Sequence, residues 1–120
     1  MKLKDLNEDQ KKLGKKLHAM CRSVGYDFDD FVAIENGDYY YIKSDIIGLR
    51  SEGNVFAAYL SRSGVYSIER DCLTCGFRER VDSCPRLNRT EIKAWLKREL
   101  EISYLINNGS REMEHTCEEV

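Results

Sequence analysis

The apolar residues of this chain change their spacing twice, and that change restricts its fold more than any other feature. Leu6, Leu13, Leu17, Met20 and Val24 recur at near-helical intervals. From Phe28 to about Arg70 the helical stripe gives way to short β-rich runs broken by turn residues. After Asn88 the helical period returns with Ile92, Trp95, Leu96 and Leu100, continued by Tyr104 or Leu105. Helix, strands and helix in that order specify an α+β domain, with an antiparallel sheet of about four to five strands flanked by an N-terminal and a C-terminal helix.

Local signals sharpen the boundaries. Asn7 with Gln10, and Asn88 with Glu91, each form a capping box, in which the cap side chain and the residue three further on satisfy each other's backbone amides. Gly25 and the run Asn107-Asn108-Gly109 supply the stops. Gly14 falls inside the first helix and marks either close packing or nothing. Asn36-Gly37 accepts positive φ at both positions of a tight hairpin turn, so residues 30–35 and 38–43 are expected to pair. Ile46, Ile47 and Leu49 suggest a further short strand or turn. Val55 to Leu60 and Val65 to Arg70 read as strands joined by Arg62-Ser63-Gly64. In the second of these, Val65, Ser67 and Glu69 share one side and Tyr66 and Ile68 the other. Residues 71–87 read as a loop with a short strand at Phe77 to Val81. Residues 1–109 make one domain, and residues 110–120 an acidic flexible tail.

With 120 residues the chain can bury a core without disulfides or metal. Its 19 Lys and Arg against 21 Asp and Glu leave a net charge of −2, which argues against a nucleic-acid partner. No apolar run is long enough for a membrane span, and the charged start lacks the core of a signal peptide. A cytoplasmic, reducing location is expected, where the five cysteines are thiols or metal ligands rather than disulfides. The arginines at 62, 70, 78, 80, 86 and 89 alternate with Glu69, Asp71, Glu79 and Asp82 and read as a solvated surface.

The cysteines carry the sharpest chemistry. Cys72-Leu73-Thr74-Cys75-Gly76 has the C-x-x-C-G form of a zinc knuckle, in which two thiolates grip one ion and the glycine lets backbone amides turn toward the sulfurs. Cys84 is the candidate third ligand, and a fourth would come from Cys21, Cys117, His18 or His115. Three readings are open: one structural zinc, small semi-buried thiols at a strand end, or a redox pair. A helix-opening redox motif fits poorly with Gly76 directly after the second sulfur. Nucleophilic catalysis finds little support, because His18 lies in the first helix and His115 in the tail, neither with an orienting third group. There is no glycine-rich phosphate loop. These residues favour a binding protein over an enzyme.

The stretches DDFVAIENGDYYYIKSD, VFAAYLSRSGVYSIERD and NRTEIKAWLKREL together resemble the small immunity proteins that bacteria pair with polymorphic or contact-dependent toxins. The likeness is of a general kind and rests on an acidic α+β domain with an aromatic hairpin and no catalytic set. It implies a protein that neutralises a basic toxin domain by occlusion, with an acidic face steering association. The residues expected on that face are Asp27, Asp29, Asp30, Glu35, Asp38, Tyr39 and Tyr41. The competing reading is a zinc-stabilised adaptor domain built on the knuckle.

Overall fold

A computed structural model describes residues 2–33 and 46–117. After a single 3-10 turn at Leu3–Asp5, the elements are α1 (Glu8–Ser23), β1 (Asp30–Ala33), β2 (Ile46–Arg50), β3 (Phe56–Ser61), β4 (Tyr66–Asp71), β5 (Arg78–Asp82) and α2 (Arg89–Asn107). The five strands form one antiparallel sheet in the order β1-β2-β3-β4-β5. This is the expected α+β arrangement, with a helix at each end of the chain.

Both capping boxes form. Asn7 accepts from the Gln10 amide at 2.8 Å and Asn88 from the Glu91 amide at 2.9 Å, while the Gln10 and Glu91 side chains return the bond. The run Ile46–Arg50 is a full strand, and the short strand expected at Phe77 to Val81 forms at Arg78–Asp82. Within the described residues the partner of β1 is β2, with Phe31 opposite Leu49 and Val32 opposite Gly48. The run 38–43, expected to pair across Asn36-Gly37, lies outside the described residues.

Both helices cover the same face of the sheet. Leu17, Met20 and Cys21 from α1 and Trp95, Leu96 and Leu100 from α2 pack on Ile47, Leu49, Phe56, Ala58, Leu60, Tyr66 and Ile68. Gly14 allows close packing: a Cβ there would sit 3.0 Å from the Phe31 ring. On the opposite face Ile46, Ala57 and Tyr59 form a smaller apolar cluster beside Val32. Gly48 lies beneath Tyr59, and a Cβ at that position would stand 2.3 Å from the ring and 2.8 Å from Val32.

Arg70 is not on the solvated surface that its charged neighbours suggest. Alternation along β4 turns it inward after Tyr66 and Ile68, and it is 4% exposed. Its Nε donates to Ser103 Oγ at 2.8 Å, and its guanidinium donates to the Glu99 carbonyl at 3.1 Å, to the Glu99 carboxylate and to Glu79 at 3.2 Å. One buried cation thereby joins β4, β5 and the second half of α2.

Two substitutions test this packing. Gly48→Ala is expected to destabilise the domain by about 1–3 kcal/mol, because two packed side chains must move. Arg70→Ala is expected to remove about 3–5 kcal/mol by leaving Glu79 without its cation and Glu99 with only the Arg98 guanidinium at 3.6 Å. Urea unfolding followed by circular dichroism measures both.

Candidate metal centre

The connection from β4 to β5 is a tight turn built from the knuckle residues. Cys72 donates its amide to the Phe77 carbonyl at 2.7 Å, and Gly76 donates back to the Cys72 carbonyl at 3.0 Å. Gly76 holds φ at +76°, in the left-handed region that a side chain would disfavour. The turn aims the amides of Cys75 and Thr74 at the Cys72 sulfur. These bonds lead the causes that draw its thiol down to about 6 and favour the thiolate.

The remaining residues come from the end of the chain, and the topology explains why. β5 runs away from the knuckle and α2 runs back over about 28 Å. Past its cap at Asn108 the chain reverses, with Ser110 and Arg111 donating to the Leu105 carbonyl at 2.9 and 3.2 Å. Met113 then buries itself to 9% exposure. Met113, His115 and Cys117 therefore lie against the domain, while the other residues from Ser110 to Thr116 stay exposed in the segment that the sequence reads as an acidic tail. One apolar side chain among acidic ones is enough to seat the segment, and a single residue leaves no mark on periodicity.

The reversal carries His115 and Cys117 to the knuckle. Cys72 Sγ lies 3.6 Å from Cys117 Sγ, Cys75 Sγ lies 3.2 Å from His115 Nε2, and Cys117 Sγ lies 3.4 Å from the same nitrogen. All four ligand atoms fall within 4.8 Å of one another and can hold one metal ion. Phe77 stacks on the His115 ring with centroids 4.6 Å apart, which fixes the ring plane and turns Nε2 toward the sulfurs. His115 Nδ1 is buried with no hydrogen-bond partner among the described residues. The Cys117 thiol is pushed up, first by its bonds to the Cys75 and Cys72 sulfurs, so of Cys72 and Cys117 it is the one that keeps its proton.

Of the expected ligands, Cys72 and Cys75 are in this group and Cys84 is not. Cys84 is exposed just beyond the far end of β5, about 20 Å along the strand direction from the knuckle, because it lies six positions on from Arg78. Among the candidate fourth ligands His115 and Cys117 arrive together. Cys21 is fully buried in the core, where burial raises its thiol to about 12. His18 instead contacts Asp27 through Nε2 at 2.8 Å. The sequence signal for the missing half was the pair His115-Thr116-Cys117, two ligand types two residues apart in an otherwise unpatterned segment.

The expected acidic face is described only in part. Asp27 is tied to His18, which is the first cause of its lowered carboxyl pKa. Asp29 accepts the Glu52 amide at 3.2 Å, and Asp30 opens β1. Glu35, Asp38, Tyr39 and Tyr41 lie outside the described residues. Among the described residues no helix is long and apolar enough to cross a membrane. Comparison of the chain with protein-family models, with curated proteins and with solved structures gives no match.

The four-residue group makes a selective forecast for cobalt(II), whose thiolate bonds give a strong ultraviolet charge-transfer band. Cys117→Ser and His115→Ala each weaken or abolish that band on titration. Cys84→Ser leaves it unchanged. Equal behaviour of all three variants would contradict the geometry.

Proposed function

We propose that this chain is a binding module fastened by one structural zinc ion, held by Cys72, Cys75, His115 and Cys117. The observation that carries this reading is the convergence of three sulfurs and one imidazole nitrogen within 4.8 Å. Three thiolates and one imidazole are a common closed set for structural zinc, with no open position for a substrate. The distances agree with that ion. Zinc about 2.3 Å from sulfur and about 2.0–2.1 Å from nitrogen sets tetrahedral edges of about 3.8 Å between sulfurs and about 3.6 Å between sulfur and nitrogen. The contacts of 3.6, 3.2 and 3.4 Å are each within a few tenths of these values. The widest pair, at no more than 4.8 Å, closes by about 1 Å through side-chain rotation.

The binding role draws on what the clasp presents. Leu73 is 57% exposed and Phe77 49%, and both belong to the knuckle turn. Beside Leu73 a cleft of about 470 Å³ is lined by Leu73, Ile106 and Met113 together with Arg111, Glu112 and the ligand residues Cys72, His115 and Cys117. Large apolar side chains held outward on a rigid turn are typical contact residues. The occlusion of a basic toxin domain, by contrast, draws on the sequence resemblance.

Native mass spectrometry of protein purified without added metal tests the proposal. The expected mass is one zinc ion above the bare chain, lost on acidification. Removing the ion with a chelator, or replacing Cys75 by Ser, is expected to lower stability by several kcal/mol, since metal binding to a folded site is folding free energy. A bare mass together with a change below about 1 kcal/mol for Cys75→Ser would overturn the reading.

A further inference from the structure

The separation that suits a metal also suits a sulfur–sulfur bond. Cys72 Sγ and Cys117 Sγ are 3.6 Å apart with no atom required between them once an ion leaves. Cys75 also neighbours Cys117, but its sulfur is the one nearer the His115 nitrogen, at 3.2 Å against 3.4 Å for Cys117. Cys72 and Cys117 are both partly accessible, so a small oxidant reaches them. Their backbones differ in constraint. Cys72 is pinned by the turn hydrogen bonds, whereas Cys117 follows a segment whose last backbone bond among the described residues is from His115 to the Met113 carbonyl at 2.9 Å. The sulfur on the less constrained segment can therefore move the distance needed to reach the roughly 2.05 Å of a disulfide.

We propose that the centre is a hydroperoxide-responsive clasp, in which oxidation joins Cys72 to Cys117 and expels the ion while the segment stays fastened. This inference rests on the metal-clasp reading above. In the first step one thiolate attacks an oxygen of hydrogen peroxide. The O–O bond breaks, the departing oxygen takes a proton and leaves as water, and a sulfenic acid remains. The second thiolate then attacks the sulfenic sulfur, the S–S bond forms, and the S–O bond breaks to release a second water after protonation. The two sulfurs lose two electrons in total, and peroxide gains them with two protons. Cys75 and His115 are left as the only ligands, two short of a closed tetrahedral site. The disulfide takes over the mechanical task of the ion, so release of metal leaves the fold in place.

The test uses the full chain carrying Cys84→Ser, which removes the exposed thiol outside the site, reduced and loaded with zinc. Hydrogen peroxide is added in excess, and a chromogenic chelator follows free zinc. One zinc released per chain is expected, with a denatured mass about 2 Da below the reduced chain. Non-reducing digestion is expected to yield a peptide pair linking Cys72 to Cys117. The far-ultraviolet circular dichroism spectrum should stay unchanged, and dithiothreitol with zinc should restore the starting form. A chain that takes up no zinc overturns the clasp reading itself. A loaded chain that keeps its ion under peroxide, or one that links Cys75 to Cys72 or to Cys117 instead, overturns this inference and leaves the clasp standing.

Discussion

The buried guanidinium of Arg70 is the contact on which the rest of the architecture leans. It forks to Glu79 on β5 and Glu99 on α2, and its Nε reaches Ser103 one turn further on. A planar cation with donors in fixed directions accepts only a narrow range of partner positions. The fork therefore sets how far α2 lies from the sheet edge and at what height along β4 it passes. A buried ion pair of this kind contributes little net stability over an apolar packing of equal volume. Its larger effect here is positional: the end of α2, and so the start of the reversed segment, is placed beside the turn that carries Cys72.

The clasp sits where that placement leads. Its ligands join positions 45 residues apart, from Cys72 to Cys117. A cross-link of that span removes about 4 kcal/mol of chain entropy from the unfolded state on the scale used for disulfides. The core does not need this contribution to exist, since fifteen of the described residues are buried in one cluster between the helices and the sheet. The segment after α2 does need it. Met113 is its buried apolar anchor. A segment held by so few contacts opens more readily than the core unless an ion or a covalent bond fastens it.

Different parts of the molecule were legible to different degrees. The two helices were readable to within a residue at their starts, because a capping box is a local exchange of hydrogen bonds that no distant residue can override. The inward turn of Arg70 was implicit in the alternation of Tyr66 and Ile68. The crowd of charges around it pointed to solvent instead, and the buried partners that make an interior arginine tolerable lie on other elements. The knuckle turn was visible as Cys72-Leu73-Thr74-Cys75-Gly76. Cys84 was the nearest further thiol in sequence, yet an extended strand carries it to the opposite end of the hairpin. Proximity along a chain is a poor guide to a ligand set once a strand intervenes.

The sequence by itself determined the two helices, the β-rich stretch between them and the turn that aims two sulfurs to one side, because periodicity, caps and turn residues act over a few positions. Only the tertiary structure decided that His115 and Cys117 complete the set. Their approach depends on the length of α2, on the height at which Arg70 holds it, and on Met113 seating the reversed segment. Each of these is a long-range packing event whose energy comes from residues far apart in the chain, and no local pattern encodes it.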